Sequence, residues 1–171
     1  MGIIVRRDKT LAGYNGNIES VYVSDAGKDY DNGTLITIGG LADEARFGRE
    51  VKEGKLTTAV TGKDEVLMVI TPELMYDEKL TLGDFTNPED GVARAYRFFD
   101  GDIVSLTVGG LPLDVAVGDI LVAGADGKLV DYESGAYKVA FEVIEDSGYE
   151  LTSKEKAFAL AIHRDYGEVT P

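Results

Sequence analysis

One histidine and no cysteine leave this 171-residue sequence few ways to build a catalytic centre. A His-Glu-x-x-His zinc site needs two histidines on one helix face, and a Cys–His dyad needs a thiol, so both are excluded. Thiolate catalysis and disulfides go with the cysteines. No Gly-x-Ser-x-Gly turn is present to raise a serine as nucleophile. A Ser-His-Asp triad would have to use His163, which sits in an apolar stretch and reads as a core or strand-face residue. Gly48 to Leu56 approaches a phosphate-binding loop. It has one residue too many between Gly48 and Gly54, and Leu56 stands where a hydroxyl must reach the magnesium ion. It reads instead as a turn before a strand.

Carboxylates are the remaining chemical resource. Asp25, Asp29 and Asp31 fall close together before Asn32-Gly33, an oxygen-rich arrangement of the sort that binds calcium. The EF-hand spacing and its bidentate glutamate are missing, so a solvated acidic turn is expected. Asp43-Glu44 and Asp77-Glu78 are adjacent pairs whose side chains diverge, whereas a glycosidase needs two carboxyls converging across a cleft. They read as surface charge. Tyr96, Phe98 and Phe99 lie beside Arg94 and Arg97 and read as core residues flanked by edge charges. No cofactor and no metal are expected, and the chain reads as a non-enzyme.

The elements that must carry these residues are β-strands. Asn15-Gly16, Asn32-Gly33, Asp90-Gly91, Asp100-Gly101 and Asp126-Gly127 are turn dipeptides that accept positive φ. Between the turns, segments rich in Val, Ile, Thr, Tyr and Phe predict strands over 19–24, 33–38, 56–60, 64–71, 92–99, 102–108, 119–122, 137–144 and 157–164. Val104, Leu106 and Val108 alternate with Ser105 and Thr107, and Tyr137, Val139, Phe141 and Val143 repeat that pattern. Many short strands between turn signals predict an all-β fold, a compact barrel or sandwich with few short helices. Short helical turns are expected within 41–51 and at 72–78, the second with Thr71 as cap and Pro72 first.

The charge is uneven. There are 31 acidic residues against 17 basic, a net charge of −14. Residues 1–17 hold Arg6, Arg7 and Lys9 against Asp8 alone, so they carry +2 and the other 154 residues carry −16. An acidic body is a poor partner for nucleic acid and for anionic membranes. No apolar run approaches the ~20 residues of a membrane helix, so a soluble chain made in a cytoplasm is expected. The expected organisation is an extended N-terminal arm over 1–17 and a single β-rich domain over 18–171. The arm is suited to docking on a partner or a neighbouring subunit.

Two stretches resemble a known class. Ile70-Thr-Pro-Glu-Leu-Met-Tyr-Asp-Glu-Lys-Leu-Thr-Leu-Gly-Asp-Phe-Thr-Asn87, followed by Ala93-Arg-Ala-Tyr-Arg97 and Gly101 to Thr107, is similar to small virion proteins of tailed bacteriophages of Gram-positive hosts, encoded beside the major capsid protein. Val117-Gly-Asp-Ile-Leu-Val-Ala-Gly-Ala-Asp-Gly-Lys-Leu-Val130 looks like a hairpin of phage head decoration proteins. The resemblance covers residues 33 to 130, and its motifs are structural. It implies a virion protein that decorates and stabilises the capsid exterior by binding major capsid protein subunits. It also implies a homo-oligomer, such as a trimer, located on the outer surface of the shell. A tail-tube or head-tail connector protein is the alternative, and an acidic-site hydrolase using Asp77 or Asp84 is a third reading. The residues expected to meet the partner are Arg6, Arg7 and Lys9 in the arm, and Met75, Tyr76 and Phe85, where apolar and charged side chains mix.

Overall fold

A computed structural model describes residues 5–9, 17–25, 27–47, 50–73, 82–149, 151 and 155–167. The protein is all-β, and its strands divide into a closed barrel and a six-stranded sheet. The barrel takes β2 (Ile18–Val23), β3 (Leu35–Leu41), β4 (Val51–Leu56), β5 (Leu67–Val69) and β6 (Val92–Tyr96). Their order around it is β2-β4-β3-β5-β6, with β6 closing on β2. All pairs are antiparallel except β2 with β4, where Ser20 lies opposite Val51.

The sheet takes β1 (Val5–Lys9), β7 (Ile103–Thr107), β8 (Ile120–Ala123), β9 (Leu129–Asp131), β10 (Tyr137–Gly148) and β11 (Ala157–Tyr166). Their order is β1-β7-β11-β10-β8-β9. The one described α-helix is a single turn, α1 (Glu44–Phe47), within the stretch expected to turn helically.

Alternation explains the layering. On β5, Leu67 and Val69 enter the barrel with Val21, Val23, Ile36, Ala93 and Ala95. Val66, Met68 and Ile70, the alternate residues, face outward and join the core of the sheet. The sheet side of that core is built from cross-strand layers. Phe141 lies opposite Ile162, Val143 opposite Leu160, Leu160 opposite Val104, and Phe158 opposite Leu106. Barrel and sheet therefore share one apolar core, joined where the Phe98 ring meets Phe141 edge-on at 6.1 Å.

A ladder of charge runs along the same junction. Arg164 on β11 donates two hydrogen bonds to Glu65, at 2.8 and 2.6 Å, and a third to the Phe98 carbonyl at 3.1 Å. Glu65 also pairs with Arg97 at 3.4 Å. Arg97 reaches Glu19 at 3.5 Å, and Lys52 reaches Glu19 at 3.1 Å. The bidentate contact and the partial burial of both side chains raise this pairing above an ordinary surface bridge. Glu65→Ala is expected to cost about 1–2 kcal/mol, read from denaturant unfolding, because Arg164 loses its bidentate carboxylate and keeps only the Phe98 carbonyl, while Arg97 keeps only Glu19.

The strand expected over 56–60 is not there. The strand at this place is β4, which ends at Leu56, and residues 57–60 turn. The reason is local: Thr58 and Thr61 exchange side-chain and backbone hydrogen bonds of 2.9 and 3.1 Å, which offers the backbone an alternative to a ladder. Residues 1–17 contain a strand that alternation did not reveal. β1 pairs antiparallel with β7, Val5 opposite Leu106 and Arg6 opposite Ser105, with a bulge before Lys9. The Asn15-Gly16 turn and most of the helical turn expected at 72–78 lie outside the described residues.

Candidate partner-binding surface

The residues expected to meet a partner fall in different places. Arg6, Arg7 and Lys9 belong to β1, the outermost strand of the sheet, and only their backbone is described. Met75 and Tyr76 lie outside the described residues. Phe85 is half-buried just after a 3₁₀ turn at Leu82–Asp84. The outer edge of the sheet on this side is therefore a short, charged, bulged strand, features that discourage indiscriminate strand pairing.

Asn87, two residues beyond Phe85, is buried and forms an isolated antiparallel bridge with Tyr30. Its backbone exchanges hydrogen bonds of 2.8 Å with Tyr30, and its side-chain amide donates to the Tyr30 carbonyl at 2.9 Å. Asn32 extends this network, donating to the Thr71 carbonyl at 2.8 Å and accepting from the Thr71 N–H at 2.9 Å. The 84–87 end of the resemblance is thus fixed by buried amides.

The acidic turn is built differently from the solvated turn expected. Asp25 accepts from the Tyr30 hydroxyl and from the Leu56 N–H at 2.7 Å. Burial, and then the Asp25 hydrogen bond, push the Tyr30 phenol well above its usual range, so it stays a donor. Asp29 accepts from the Glu89 N–H at 2.8 Å. The carboxylates tie separate segments together, and among the described residues no three His, Cys, Asp or Glu gather as a metal site.

Asp31 lines a cleft of about 560 Å³ with Lys28, Asp29, Asp126 and Lys128. Lys28 and Asp126 form an exposed ion pair of 3.0 Å across it. Burial, with the nearby Asp29 charge, raises the Asp31 pKa above its ordinary value. The folded state then holds the proton more tightly than the unfolded chain. Asp31 disfavours folding once ionised, above about pH 4, and ceases to do so in acid. Asp31→Asn is expected to raise the melting temperature at pH 7, with the gain shrinking as the pH falls toward about 4 and absent below it. Paired thermal melts across that range check it.

His163 is a strand-face residue. Its Nε2 lies 2.7 Å from Glu142 on the neighbouring strand, and its ring tilts against Tyr166. The loop-like sequence around Gly54 is strand β4, with no helix after it to receive a phosphate. Tyr96 and Phe98 are core residues, while Phe99 is about half exposed.

Residues 108–119, which link β7 to β8, form a surface that the partner expectations passed over. Leu113 on this link is fully exposed. The signal was present as the apolar run Leu111-Pro-Leu-Asp-Val-Ala-Val117, but which of its side chains turn outward is decided by tertiary packing. Fold and surface together define an all-β body with an outer edge supplied by its basic N-terminal segment. No protein family, no curated protein and no solved structure matches the chain.

Proposed function

We propose that this chain is a structural, non-enzymatic protein of a tailed-bacteriophage head, which binds major capsid protein on the capsid exterior and stabilises the shell. The observation that carries the reading is the charge split placed on the fold. The +2 segment is strand β1 on the outer edge of the sheet, and the remaining −16 belongs to the rest of the chain. An acidic body is repelled by packaged DNA and stays soluble when crowded on a shell, while a basic edge offers a point of attachment. Many identical sites on a shell supply avidity without strong single contacts. The β8–β9 hairpin, two strands around an Asp126-Gly127 turn, supports the resemblance to head decoration proteins.

Co-sedimentation with undecorated shells, assembled from the major capsid protein of the same phage, tests the reading. The intact chain is expected to pellet with the shells and to raise their heat resistance. The chain lacking residues 1–17 is expected to bind at least tenfold more weakly. Equal binding by the truncated chain would remove the role of the arm. Rings or tubes formed by the purified protein alone would favour the tail-tube or connector reading.

A further inference from the structure

The link from β7 to β8 starts with a 3₁₀ turn at Val108–Gly110 and runs to Asp119. Its apolar residues divide by position. Leu111 is buried and Val115 packs against the shared core, so both anchor the loop. Leu113 and Val117, the alternate residues, point away from the core at 102% and 57% exposure, and Val108 at the start is 37% exposed. Three of the exposed large apolar side chains among the described residues are therefore gathered on one twelve-residue link.

The loop is held in place by its backbone. Leu111 N–H donates to the Val108 carbonyl at 3.1 Å, and Asp119 N–H to the Ala116 carbonyl at 3.2 Å. The Asp119 carboxylate accepts from the Ala116 N–H at 2.8 Å. Gly118 N–H donates to the Val143 carbonyl at 2.8 Å, and Val143 N–H to the Asp119 carbonyl at 2.9 Å, which fastens the end of the loop to β10. A tethered loop loses little conformational entropy on binding, so apolar contact made by Leu113 and Val117 goes largely into affinity.

Charge selects the occupant. The link carries Asp114 and Asp119 and no basic residue, on a body of strongly acidic charge. A second copy would bring the same acidic loop against it, which repulsion disfavours. We infer that Leu113 and Val117 are the apolar anchors of a docking surface for a protein with an apolar socket rimmed by lysine or arginine. On the reading of the previous subsection, on which this identification rests, that protein is the major capsid protein. The loop is then a second attachment point, separate from the basic strand β1.

The test compares four proteins in the same co-sedimentation assay: the intact chain, Leu113→Ser with Val117→Ser, Asp114→Lys, and Val60→Ser. Val60 is an equally accessible apolar residue on the turn after β4, and serves as the control. Because the substituted side chains are exposed, the circular dichroism and melting temperature of each variant are expected to match the intact chain. The double variant is expected to bind roughly ten- to a hundredfold more weakly. Asp114→Lys is expected to bind more weakly and with less dependence on salt, while Val60→Ser binds normally. Unchanged binding by the double variant, or an equal loss in Val60→Ser, overturns the loop assignment and leaves the capsid reading standing. Failure of the intact chain to bind shells overturns the capsid reading itself. An intact chain that self-associates, with a double variant that is monomeric, makes the occupant a second copy and also overturns the proposal.

Discussion

Gly62→Ala is expected to lower the unfolding free energy by about 3 kcal/mol, at the upper end of the cost of overpacking a core. Gly62 is buried in the 3₁₀ turn Thr61–Lys63, where the barrel meets β8. A Cβ built there lies 2.1 Å from the Ala123 carbonyl oxygen and 2.9 Å from its carbon, deep inside van der Waals contact. Neither side yields easily. Ala123 is paired with Leu129 on β9, and the Gly62 N–H donates to the Thr58 carbonyl at 2.8 Å. The neighbouring Thr57 hydroxyl donates to the Gly124 carbonyl at 2.7 Å, so retreat of the turn would also break a buried hydrogen bond. For a chain of this size the expected fall in melting temperature is about 6–12 °C. A fall of less than about 2 °C would mean that this junction is not closely packed.

Phe141→Ala is expected to cost about 3–5 kcal/mol, the range for removing a fully buried aromatic side chain. Phe141 is completely buried at the centre of β10, between Ile162 on β11 and Leu121 on β8. Its ring also meets Phe98, which follows β6 of the barrel. The loss is therefore felt by both layers. One cooperative transition at a lower denaturant midpoint is expected, with the slope unchanged. Two separated transitions, one for the barrel and one for the sheet, would contradict the shared core.

The strands were legible where alternation and turn chemistry agreed. Asp126-Gly127 adopts φ of 56° and 70° between β8 and β9, and Gly33 and Gly101 after Asn32 and Asp100 take φ of 92° and 84°. These dipeptides placed the boundaries of β3, β7 and β8 to within a few residues. Strand β4 escaped because Val51-Lys-Glu-Gly-Lys-Leu56 has no clean alternation. Its Gly54 makes way for neighbours instead, since a Cβ there would come within 3.1–3.3 Å of Ile36, Val21 and Tyr22. The division into barrel and sheet was not legible, because the pairings that define it join distant segments. β2 lies parallel to β4, and β1 crosses to β7 about a hundred residues away.

The surface was legible only in part. Net charge by segment singled out residues 1–17, of which Val5–Lys9 form an edge strand. Charge patterning is silent on Leu113 and Val117, whose exposure follows from Leu111 and Val115 being drawn into the core. Equally, Asp25 and Asp29 stood out as possible ligands because of their spacing. Their hydrogen bonds to Tyr30, Leu56 and Glu89, all remote or non-adjacent in sequence, could not be read from it.

The central claim is that this chain is an external stabiliser of a phage head. An electron cryomicroscopy map of the native particle tests it most directly. The account predicts density for the barrel and sheet on the outer face of the shell, with β1 and the 108–119 loop turned toward major capsid protein. Density for this chain in the tail, inside the shell, or nowhere on the particle would contradict it.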